Sequence, residues 1–139
     1  MTRQLENSKY FTTKFANWLR QNEALDSKKG FTCSDIDFIW TNYKTGKFMM
    51  LEEKCLNSKI GFAQDKILNR VHECLKTDKN YMGFYFIQFS NESPEDGLIF
   101  LTNMDTRIKK QVTIEELTFF LEKFRLPTDQ FELDFFANF

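Results

Sequence analysis

Residues 31–55 read FTCSDIDFIWTNYKTGKFMMLEEKC. Two apolar runs, 31–40 and 48–55, flank the polar stretch Thr41-Asn42-Tyr43-Lys44-Thr45-Gly46-Lys47, which has hairpin turn chemistry. The reading is two strands, antiparallel through that turn. The two-residue period of a strand puts Phe31, Cys33, Asp35, Asp37 and Ile39 on one face of the first. It puts Phe48, Met50, Glu52 and Lys54 on one face of the second. Charged side chains in apolar strands are costly unless paired or bound to a cation. If the two faces coincide, Asp35, Asp37, Glu52 and Lys54 converge. Crowded carboxylates repel one another, and a hard divalent cation relieves that repulsion. Oxygen-only ligands favour Mg²⁺ or Mn²⁺ over Zn²⁺.

Two acid-x-Lys triplets occur, Asp26-x-Lys28 and Glu52-x-Lys54. The first lies in the polar break 26–30 and reads as a solvated turn. The second ends an apolar strand whose hairpin partner holds Asp35 and Asp37, and that context gives it weight.

Upstream, Leu5, Tyr10/Phe11, Phe15 and Trp18/Leu19 recur at helical spacing and predict an amphipathic helix over 3–24. Downstream, residues 62–77 predict a second helix with Phe62, Ile67/Leu68, Val71 and Leu75 as its inner stripe. YMGFYFIQF (81–89) has the continuous apolar character of a central strand, and 97–104 reads as another. Thr113-Ile114-Glu115-Glu116 is a capping box opening a helix through Phe124, with Pro127 as its stop. The tail QFELDFFANF reads as an edge strand or a packing arm. Trp18, Trp40 and the Phe residues read as core. The order is α-β-β-α-β-β-α plus a tail, an α/β class within a single domain spanning 1–139.

The whole chain supports that reading. At 139 residues with 17 Phe, 5 Gly and 2 Pro, it is too rich in aromatics for disorder and large enough to need no staple. Three widely spaced Cys argue for reduced thiols and against a disulfide framework. With one His, zinc sites built on His and His-paired nucleophiles are poorly served. His72 and Cys74, two apart, read as ordinary helix residues. No signal peptide and no membrane-length apolar run is present, so a cytoplasmic location is expected. The net charge of −1 hides an uneven distribution: residues 28–79 carry +3 (10 basic, 7 acidic) and residues 80–139 carry −5 (5 basic, 10 acidic). Lys44, Lys47, Lys59, Lys66 and Arg70 lie in the basic segment as candidate phosphate contacts.

SDIDFIW, a turn, KFMMLEEK and a helix carrying Gln64 together resemble the PD-(D/E)XK nuclease superfamily. The resemblance spans roughly residues 3–104. It implies a restriction-endonuclease-like core: a mixed four- to five-stranded sheet flanked by helices, in the order α-β-β-(β)-α-β-β-α. It implies a Mg²⁺-dependent deoxyribonuclease that leaves a 5′-phosphate and a 3′-hydroxyl. Asp37 takes the place of the motif Asp, with Asp35 the competing candidate, Glu52 that of the motif acid and Lys54 that of the motif Lys. Ile36 stands where the family's usual Pro would be. Gln64 matches the family's helix Gln, and Glu6 or Glu23 its first-helix Glu. The implied metal ligands are Asp37, Glu52, the main-chain carbonyl of Glu53, and Asp35 as the alternative. DNA is the implied partner, and the tail suggests a second copy or a partner protein. The alternative is a catalytically inactive nuclease-fold module of a phage or mobile element that binds nucleic acid or protein.

Overall fold

A computed structural model describes residues 13–91 and 93–126. Glu6, Pro127, the 3–12 part of the first predicted helix and the acidic-aromatic tail lie outside those residues. The chain divides into two compact units, Met1–Ser34 and Asp35–Phe139.

In the first unit, helix α1 spans Lys14–Gln21. The Thr13 hydroxyl accepts from the Ala16 amide at 3.1 Å and caps it. Asn22 and Asp26 cap two single helical turns that follow, accepting from Ala24 N at 3.0 Å and Lys28 N at 2.8 Å. A cavity of about 230 Å³ lies among Ala16, Leu19, Leu25, Phe31 and Cys33. Phe15 and Trp18 stack at 6.0 Å on the outside of α1. Trp18 is 55% exposed, so it is a surface residue and not the core residue its type suggested.

The second unit holds a five-stranded mixed sheet with strands in chain order: β1 (Phe38–Thr41), β2 (Phe48–Cys55), β3 (Tyr81–Phe89), β4 (Ile99–Asn103) and β5 (Ile108–Val112). Neighbours are antiparallel except β2 and β3, which are parallel and joined by helix α2 (Phe62–Leu75). That crossover is what a parallel pair requires. Helix α3 (Ile114–Glu122) follows β5 and opens with the expected capping box, Thr113 Oγ accepting from Glu116 N at 3.0 Å and Glu116 from Thr113 N at 2.9 Å.

Alternation along the strands sorts the core onto two faces. Met49, Tyr85, Ile87, Phe89, Leu101 and Val112 pack with Leu117, Phe120 and Phe124 on the α3 side. Met50, Phe84, Phe86 and Met104 pack with Leu68 on the α2 side. Glu52 and Lys54 share the parity of Met50 and therefore face α2. A bulge at Met82–Gly83 keeps Tyr81 and Phe84 on one face, and Gly83 takes φ +117°, which disfavours a side chain there.

Five sequence readings change. The first strand begins at Phe38, not residue 31, so Asp35 and Asp37 lie on the segment leading into it. Beyond the Phe38↔Leu51 pair, the two arms are joined by bonds from backbone amides to the carboxylates of Asp37 and Glu52. A strand at 108–112 was not expected, because IKKQV alternates weakly and carries two Lys. The extra strand anticipated before α2 is absent among the described residues, and the fifth strand comes after β4. The inner face of α2 is Leu68, His72 and half-buried Leu75, whereas Phe62, Ile67 and Val71 are exposed. Trp40, on the edge strand, is 43% exposed and donates to the Leu121 carbonyl at 3.1 Å.

Candidate active site

β2 presents Glu52 to the α2 face, where its side chain is 0% exposed. Asp37 sits one residue before β1, directly across the hairpin. Its main-chain amide donates to Glu52 Oε1 at 2.8 Å. In return, the Glu53 amide donates to Asp37 Oδ2 at 2.8 Å. The Asp37 carboxylate thereby takes the amide of Glu53, and the Glu52 carboxylate takes the amide of Asp37. The exchange seats the two carboxylates side by side at the end of the edge strand.

Burial pushes the Glu52 carboxyl up to about 7. The Asp37 amide works against that rise, and the Asp37 carboxylate adds to it. Lys54, half-buried two residues further along the same face of β2, draws Glu52 back toward ionisation. Burial also raises Glu53, with the Asp37 charge a further cause. By the alternation of β2, the Glu53 side chain faces away from Glu52.

Gln64, on the first turn of α2, reaches over the pair. Its amide donates to Glu52 Oε2 at 3.4 Å and to the Asp35 carbonyl at 3.5 Å, both long contacts. Asp35 thus takes part through its main chain, and its exposed side chain makes no hydrogen bond among the described residues. The structure brings Asp37, Glu52 and Gln64 into contact, with Lys54 beside Glu52. The expected cluster of three carboxylates is a pair.

The candidate phosphate contacts separate. Lys44, Lys59, Lys66 and Arg70 are exposed, Lys66 and Arg70 on the outer face of α2. Lys47 is 0% exposed and therefore does not meet a phosphate at the surface. It follows Gly46 directly into β2, and the strand's start carries it inside. Glu23 belongs to the first unit.

A second polar cluster was missed from the sequence. His72 is 2% exposed; its Nδ1 is 2.7 Å from Tyr81 Oη and its Nε2 is 3.1 Å from Asp105 Oδ1. With Asp105 accepting from Nε2–H, Nδ1 accepts from the Tyr81 hydroxyl. Burial raises the Tyr81 phenol. Lys76 bonds both Glu73, at 3.1 Å, and Asp105, and with His72 it holds Asp105 below its ordinary carboxylate range. His72, Glu73 and Asp105 have the donor atoms of a metal site. The Lys76 ammonium already bridges its two acids, so the cluster pins α2 to β3 and to the turn after β4. The signal was present in the sequence: His72 is four residues after Leu68 and three before Leu75, on the inner stripe.

The chain is 30% identical over 117 residues to an uncharacterized protein of Archaeoglobus fulgidus, covering 83% of this chain and 79% of that protein. The chain belongs to the family of that archaeal protein. No protein-family model matches the chain, and no solved structure does. Among the described residues, no helix is long and apolar enough to cross a membrane.

Proposed function

We propose that this protein is a Mg²⁺- or Mn²⁺-dependent deoxyribonuclease with a restriction-endonuclease-like core. The observation that carries the reading is the Asp37–Glu52 carboxylate pair, with Lys54 following Glu52 on the same strand face. The order of parts supports it as well: an acid on one hairpin arm, the acid-x-Lys on the other, then a helix crossing to a strand parallel to the second.

The donor set suits a hard divalent cation. Asp37 and Glu52 offer oxygen only, and each has one short main-chain donor, which leaves further lone pairs on both. The burial that holds Glu52 near neutrality is the kind of cost a divalent cation offsets. Asp37, Glu52 and the Glu53 carbonyl would hold the ion. A bound Mg²⁺ polarises a phosphodiester and lowers the pKa of its water. Lys54 orients the attacking water and offsets the charge that develops on the phosphoryl oxygens. Gln64 holds Glu52 in place and presents α2 to the backbone of the DNA.

The test is cleavage of supercoiled, branched and single-stranded DNA with Mg²⁺ or Mn²⁺. Wild type should cut at least one of them, chelator should abolish cutting, and Glu52→Gln and Lys54→Ala should each lower the rate by about 100-fold or more. A folded wild type that cuts none of them refutes the reading and leaves a binding module.

A further inference from the structure

The outer face of α2 runs against the pattern of its sequence. Phe62 is 85% exposed, Ile67 38% and Val71 42%, although all three read as an inner stripe. They form part of two parallel rows. Phe62, Lys66 and Arg70 recur every four residues, and Ala63, Ile67 and Val71 recur every four beside them, so each row follows one ridge of the helix.

The charges on this helix are unevenly satisfied. Asp65 is held by Arg107 at 3.1 and 3.2 Å, and Glu73 by Lys76 at 3.1 Å. Lys66 and Arg70 make no ion pair among the described residues. The face therefore offers a cationic ridge led by an aromatic ring, next to an apolar ridge. The first turn of the same helix carries Gln64, which contacts Glu52.

A duplex hides the faces of its bases and shows a flanking protein mainly phosphate. A single strand offers phosphates along one side and base faces along the other. Cations tracking a backbone, with an aromatic platform for bases, are the recurring means of binding it. We propose that the outer face of α2 binds unpaired DNA leading to the Asp37–Glu52 site, with phosphates on Lys66 and Arg70 and bases on Phe62 and the Ile67–Val71 ridge. This rests on the nuclease reading and assigns that site a single-stranded or branched substrate.

The experiment measures binding, so it does not depend on cleavage. The full chain carrying Lys54→Ala is titrated with Mg²⁺ present into a labelled single strand of mixed sequence and into the duplex made from it. The single strand should bind tighter. Adding Phe62→Ala should weaken single-strand binding about tenfold and leave the duplex unchanged, because one stacked base is lost. Phe62→Trp should retain the preference. Lys66→Gln with Arg70→Gln should flatten the salt dependence for both forms. Equal affinity for the two forms, or Phe62→Ala acting on both alike, overturns the proposal. So does sedimentation showing that the face serves a Phe62-dependent dimer with no strand preference. Failure of the nuclease reading looks different: wild type cuts nothing while the Phe62-dependent preference persists.

Discussion

Asp37 and Glu52 are joined by backbone as well as by proximity: the amide of the first donates to the carboxylate of the second at 2.8 Å. Two acids that would otherwise repel are fixed across a hairpin, one of them fully enclosed. That arrangement costs stability in the free protein and is the kind of strain a binding site keeps.

The cost sets a pH dependence. Glu52 titrates near 4.5 unfolded and near 7 folded, so the penalty is absent below the lower value, grows between them and is complete above the upper. The gap corresponds to about 3 kcal/mol as an upper bound. Glu52→Gln keeps the acceptor for the Asp37 amide and removes the charge. In metal-free buffer the wild type should lose stability relative to Glu52→Gln as pH rises through this window, and the two should converge in acid. Denaturant melts at a series of pH values measure this, and parallel curves would show that Glu52 is not raised.

Lys54 is expected to matter for chemistry more than for folding. Lys54→Met keeps the side-chain stem and removes the ammonium. Its melting temperature should stay within a few degrees of wild type, while DNA cleavage falls by about 100-fold or more. Intact cleavage would remove Lys54 from the mechanism.

The His72 cluster should behave in the opposite way. His72→Leu leaves the Tyr81 hydroxyl and Asp105 without their partner in a buried setting, and should cost about 2 kcal/mol. Cleavage measured well below the melting point should be unchanged. Loss of cleavage at full folding would instead place the cluster in the reaction.

The legible parts of the fold were those with strong local signals. β2 and β3 were readable to the residue, because each is an apolar run bounded by a turn, and α3 was announced by its capping box. β5 was not readable, since an edge strand with one open side tolerates Lys109 and Lys110 and loses its alternation. Asp37 and Glu52 could be paired from the hairpin alone. The bonds from the Asp37 amide to Glu52 and from the Glu53 amide to Asp37 could not, because strand periodicity carries the strand through residue 37 and the strand starts at Phe38. Phe62 misled for a different reason: hydrophobic spacing identifies a helix, and only packing decides which apolar residues it buries.

Thr113 gives a check on local stability. Thr113→Ala removes the acceptor for the Glu116 amide at 3.0 Å and should cost about 1 kcal/mol with no effect on DNA cleavage. Urea unfolding measures it, and an unchanged midpoint would mean the cap adds nothing.

The claim that Asp37 and Glu52 form a divalent-cation site is tested most directly by Mn²⁺ binding in solution. Titration calorimetry on the wild type should give one Mn²⁺ per chain, and Glu52→Gln should weaken that binding at least about tenfold. A folded wild type that binds no Mn²⁺, or binds it as tightly without the Glu52 carboxylate, would contradict the account.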